Sequence, residues 1–169
     1  MPRSRPMSTR SFLRAYQKVR EAADREGFHA DLDMLQAKDL DLSVRLGALL
    51  AFDALMVSAA INPIAASPGA PLSLNVAAQP WEVLAISVSI VLLGISAILC
   101  VRAIMLGEEF GAEGIEDDPQ AIVQRMFAAY CTSIDYQQRA IKIASWFAIA
   151  GGVACVIACG WIMIDKLGG

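Results

Sequence analysis

The amino-acid sequence predicts an all-α integral membrane bundle of about three transmembrane helices with amphipathic cytoplasmic helices attached. Three observations lead there. Hydrophobic residues make up 56% of the 169 and charged residues 18%, with a mean hydropathy of +0.50, which is more apolar than an ordinary soluble domain. The apolar residues are gathered into three blocks with few charges, each about as long as a bilayer is thick. The basic residues are also unevenly placed: nine of fourteen, from Arg3 to Arg45, precede or open the first block.

In chain order, residues 1–41 form a cytoplasmic amphipathic segment. Residues 8–25 read as a basic helix with Phe12, Tyr16, Val19 and Ala23 at helical spacing, and Gly27 is expected to interrupt it. A second polar helix is expected to start at Asp31 or Asp33 and to lead into transmembrane helix 1, residues 42–64. Asn62 and Pro63 are expected to end that span. Residues 65–80 are a periplasmic loop; from Asn62 to Pro80 there are four prolines and no charge, a turn-rich composition. Transmembrane helix 2 covers 81–101 and opens on Trp81, whose indole suits the headgroup region. Residues 102–142 hold an acidic connector and then an amphipathic helix, with Asp118 as N-cap and Pro119 in the first turn. That helix continues into transmembrane helix 3, residues 143–164, with Trp146 and Trp161 near its ends. Residues 165–169 are a periplasmic tail.

Orientation follows from the positive-inside rule. The 65–80 loop has no Lys or Arg, whereas the N-terminal segment is rich in them and the 102–142 segment holds Arg102, Arg125, Arg139 and Lys142. The N-terminus is therefore expected in the cytoplasm of a bacterium, with the chain spanning the inner membrane. No cleavable secretory leader is expected, because no apolar stretch follows the first residues. The net charge of −3 gives no reason to expect a nucleic-acid partner.

Asp53 is the most informative single residue, because it falls near the middle of the first span, where a carboxylate costs about 2.5–3.5 kcal/mol on insertion scales. Two readings stay open: a proton or ion relay lining a path, or a hydrogen-bonded packing residue facing another helix. Stripes of small residues run along the spans. Gly47, Ala51, Ala54 and Ser58 lie in the first, Ser87, Val91 and Gly94 in the second, and Ala144, Ala148, Gly152, Cys155 and Cys159 in the third. Such stripes allow close helix approach, within one chain or across an oligomer seam. The four cysteines do not form a disulfide framework, and no metal site or cofactor is expected. His29, the single histidine, is assigned no chemistry. The six acids from Glu108 to Asp118 lack the alternating spacing of a calcium loop and read as a solvated connector. No phosphate-binding loop, nucleophile elbow or zinc-protease pattern occurs, so no catalytic residue is named and the chain is not expected to be an enzyme. The basic lead helix, with Arg14 and Lys18, is a possible phosphate or lipid contact.

A lead helix that runs straight into the first span, as KDLDLSVRLGALLAFDALM with Asp39 and Asp41 at its entry, is followed by a hairpin, a cytoplasmic helix and a last span. This layout resembles the small membrane effectors of bacterial anti-phage Pycsar systems over roughly residues 30–165. The resemblance implies an effector that oligomerises or opens in the membrane when a cyclic pyrimidine nucleotide appears. Its expected partners are the lipid bilayer, further copies of itself and a cyclic nucleotide. The alternative is a non-catalytic scaffold subunit of a larger membrane complex, docking through helices 8–25 and 119–140.

Overall fold

The computed structural model describes residues 8–19, 25–66, 74, 79–105 and 119–168. Among these there is no strand, and four helices account for almost all of them: α1 (Thr9–Val19), α2 (Arg25–Ala65), α3 (Pro80–Met105) and α4 (Pro119–Gly168). The acids 108–118, including the Asp118 cap, lie outside the described residues, as do most of the 65–80 loop and the side chains of Phe12, Tyr16, Lys18 and Val19.

Three helices contain stretches long and apolar enough to cross a membrane, within His29–Ala65, Pro80–Met105 and Met126–Lys166. The chain is a helical membrane protein. At 1.5 Å per residue, the 50 residues of α4 extend about 75 Å, more than twice the roughly 30 Å hydrocarbon core. A helix of that length needs an apolar section and a polar one. The composition of α4 divides accordingly: Gln124 to Lys142 carries charges and amides, and Ile143 to Ile164 carries no charge. The 41-residue α2 divides in the same way, with its last basic residue at Arg45.

Two expectations about helix ends need correction. Gly27 does not interrupt a helix: it is itself helical and buried within α2. A helical glycine keeps its backbone N–H and C=O in place, so its cost is only backbone entropy. Pro63 likewise lies inside α2, which continues to Ala65. The last turn survives because the Ala66 N–H donates to the Asn62 carbonyl at 2.9 Å, and the Pro63 carbonyl accepts from the Leu74 N–H at 3.0 Å. A proline one turn from the end removes a single donor and leaves these closing bonds intact. At the other end of the chain, α4 extends to Gly168, so Asp165 and Lys166 are helical and exposed.

The described residues form two compact units. The first takes its members from Met1–Arg45 and Ala103–Arg139. Its buried side chains are Thr9 and Leu13 of α1, Asp31, Leu35 and Leu42 of α2, Ala103 of α3, and Cys131, Ile134 and Gln137 of α4. Polar bonds join the helices here. The Asp135 carboxylate accepts from both the backbone N–H and the hydroxyl of Thr9, Lys38 Nζ donates to Thr9 Oγ1 at 3.3 Å, and Gln17 donates to Asp31 at 2.9 Å. The Arg45–Asp41 pair, at 2.9 Å, is exposed on both sides and contributes little.

The second unit consists of Leu46–Arg102 and Ala140–Gly169. It is apolar outside and carries polar groups inside. Trp81, Val91, Ile98, Trp146, Val156 and Trp161 are exposed, whereas Asp53, Ser89 and Ser96 are buried. In water that outer surface would be a large apolar patch; in lipid it is simply solvated. Leu46, Asp53 and Ala60 recur every seventh residue on the inner face of α2, and Ile86, Ser89, Leu93, Ser96 and Cys100 alternate by three and four on α3. This is the spacing of interlocking helices. Ala60, Ile86, Cys155, Ala158 and Ile162 make one continuous cluster, with Met56 and Cys159 packed against it.

Candidate intramembrane polar site

The site begins with a register. On α2 the seven-residue repeat that turns Leu46 and Ala60 inward also turns Asp53 inward, leaving it 1% exposed. On α3 the same repeat buries Ser96, at 0% exposed, between Leu93 and Cys100. Ser96 lies opposite the Asp53 carboxyl, and the Cys100 thiol is near both. Neither carboxylate oxygen of Asp53 has a hydrogen-bond partner, and neither does the Ser96 hydroxyl.

Three other serines of the unit show the usual arrangement. Ser58 donates to the Ala54 carbonyl of its own helix at 2.9 Å, and Ser87 to Val83 at 2.8 Å. Ser89 reaches across to the Gly151 carbonyl of α4 at 2.7 Å. Buried polar groups are ordinarily satisfied in this manner, because an orphaned one costs roughly 1–3 kcal/mol. Asp53 and Ser96 therefore stand out as a pair facing each other across α2 and α3 with three oxygen atoms unsatisfied.

The close contact between α3 and α4 is made by Gly151. A Cβ there would meet Leu93 Cγ at 2.8 Å and the Leu93 backbone nitrogen at 3.2 Å, so any larger residue must displace Leu93, and this approach brings Ser89 within reach of the Gly151 carbonyl. Gly152 is looser: a Cβ would lie 3.5 Å from Phe52 Cζ and 3.8 Å from Met56 Cε of α2.

The residues singled out from the sequence are distributed unevenly about this site. Asp53 is at its centre. Ala148 and Gly152 are buried, as are Ala144 and Cys155, and Cys159 is half-buried. Gly47, Ala51, Ala54 and Ser58 all lie on the outward face of α2, and a Cβ on Gly47 would meet nothing within 4 Å. Within the chain, then, that stripe does not pack helices; Leu46 and Ala60 do so instead, because they share the register of Asp53. On α3, Ser87 and Val91 are exposed and Gly94 half-buried. Arg14 is exposed on α1, and the Lys18 side chain lies outside the described residues. His29 is exposed on α2.

Ser89, Ser96, Gly151 and Gln137 escaped the sequence reading. The first two could have been found by extending the three-and-four spacing from Ile86 along α3. Gly151 had no such signal, since Gly151 and Gly152 are adjacent and only the packing distinguishes them. Gln137, 2% exposed in the first unit, has an unpartnered Oε1. Among the described residues no cluster of three or more His, Cys, Asp or Glu is placed to hold a metal ion. No family model, no curated protein and no solved structure matches this chain.

Proposed function

We propose that this protein is a small effector of the bacterial inner membrane that perturbs the membrane when a cyclic nucleotide signal rises. The observation that carries the reading is the Asp53–Ser96 pair, buried and unpartnered inside an otherwise apolar unit. A scaffold subunit needs outward docking faces and has no use for an orphaned carboxyl at membrane depth, whereas a bundle that conducts or opens has one. The layout resemblance supplies the ligand class, a cyclic pyrimidine nucleotide. Three spans are too few to surround a pore within one chain, so conductance arises from assembly of several copies. A ligand drives that assembly only by binding the assembled state more tightly than the resting one. Arg14, exposed on α1, is the phosphate contact in this scheme.

Expression alone is expected to be harmless, and co-expression with a pyrimidine nucleotide cyclase is expected to depolarise cells, read with a potential-sensitive dye. Arg14→Glu should weaken the response. Unchanged potential with the cyclase, together with no binding of any cyclic mononucleotide to the purified protein, leaves the scaffold as the better reading.

Orientation is part of the proposal, with the N-terminus and Arg125 cytoplasmic and Ser73 periplasmic. On a cysteine-free background, an impermeant thiol reagent applied to intact cells should label an engineered cysteine at Ser73 and spare one at Arg125. The reverse pattern overturns the orientation.

A further inference from the structure

We propose that Asp53, beside Ser96, is a proton-exchange site inside the apolar unit; this goes beyond the effector reading and does not depend on it. The argument starts from charge balance. The membrane sections of this unit contain no cation: none occurs from Leu46 to Ala65, from Pro80 to Val101, or from Ile143 to Ile164. Nothing in these sections can neutralise an Asp53 carboxylate, so its counter-charge comes from solution. A divalent ion would leave an excess positive charge in hydrocarbon, which is as costly as the original negative one. The counter-charge is therefore monovalent.

Donor number then chooses among monovalent ions. Two Asp53 oxygens and one Ser96 hydroxyl are the unsatisfied polar atoms at this place, and hard metal cations take about six or more oxygen ligands. The Cys100 thiol beside them is a poor ligand for such an ion. A proton needs none of that. Bound to one carboxyl oxygen, it turns an acceptor-only group into a donor, and Ser96 Oγ can accept from it while its own hydrogen serves the second oxygen. One proton thus removes the charge and makes the two side chains complementary as donor and acceptor, without adding volume to a packed interior.

Asp53 is also electrostatically isolated. Cys100 is the titratable group near it on α3. The α4 section from Ile143 to Ile164 offers only Cys155 and Cys159, and α2 has no other acid after Asp41. Glu82, fourteen residues before Ser96 on α3, is about 21 Å away along the helix axis. Loading and unloading of Asp53 is therefore a one-proton event.

The test is infrared spectroscopy of the purified full chain in phosphatidylcholine vesicles, following the carbonyl stretch of a protonated carboxyl between acid and alkaline buffer. The expected result is a band that appears at acid pH and vanishes at alkaline pH, reversibly. It should be missing from Asp53→Asn and shifted in frequency in Ser96→Ala, which keeps the carboxyl and loses its partner; helical circular dichroism confirms that both variants are folded. Replacing sodium by choline at constant pH should change nothing. The proposal is overturned by a signal that does not change with pH, by one that persists in Asp53→Asn, by an unshifted band in Ser96→Ala, or by sodium removing the band at fixed pH.

Discussion

Gly151→Leu is expected to separate α3 from α4. Even a single Cβ at this position falls 2.8 Å from Leu93 Cγ and 3.2 Å from the Leu93 backbone nitrogen, and the second of these cannot rotate away. Overpacking of this kind costs about 1–3 kcal/mol. The displaced backbone also loses the 2.7 Å bond from Ser89, and interhelical bonds of this type in membranes contribute about 0.6 kcal/mol on average, up to roughly 1.7. Unfolding of the purified protein by detergent titration in mixed micelles measures the sum. Two controls fix the interpretation. Gly152→Ala places its methyl 3.5 Å from Phe52, an ordinary contact, and Gly160→Ala meets nothing within 4 Å. If Gly151→Leu is as stable as Gly160→Ala, the close contact does not exist.

Asp135→Ala should release α1 while leaving the rest of the first unit in place. Asp135 accepts two bonds from Thr9, one of them from the backbone N–H at the start of α1. It thus satisfies a free N-terminal donor of α1 from a different helix, with its charge at the end of α1 that favours an anion. Thr9 itself is 1% exposed and also accepts from Lys38. Hydrogen bonds to charged groups contribute about 1.5–3 kcal/mol, so the population with α1 detached should rise roughly 10- to 100-fold. Hydrogen–deuterium exchange across Thr9–Val19 reads this directly. Asp135→Asn retains an acceptor and should recover part of the protection; exchange in Asp135→Ala equal to that of the parent would refute this role.

Much of the architecture was legible because hydrophobic periodicity is a local property. The three apolar blocks, the basic flank and the long run from Pro119 into the last span could all be read directly, and Asp53 was conspicuous because no other acid lies so deep. What could not be read was the rotation of each helix. In a soluble helix the polar face marks the outside, but in an apolar span every side is hydrophobic, and the small residues that seem suited to packing need not face inward. On α2 they face outward, and the inner face is set by Leu46, Asp53 and Ala60. Ser96 was missed for the same reason: a hydroxyl in a span carries no sign of direction until the facing helix is known. Gly27 and Pro63 were misjudged because both residues are weighted as breakers; a glycine within a helix costs only backbone entropy, and a proline in the last turn breaks little.

The outward stripe of α2 has a practical consequence. Gly47, Ala51, Ala54 and Ser58 touch little of their own chain, and the Ser58 hydroxyl is already spent on the Ala54 carbonyl. Enlarging Gly47 or Ala51 therefore leaves the folding of an isolated chain almost untouched, since no intrachain neighbour is displaced. Any phenotype from such a change reports on whatever lies against that face in the cell, whether acyl chain or protein. The protein thus carries, along one side of its first span, a set of positions at which contacts with its surroundings can be altered independently of its own stability.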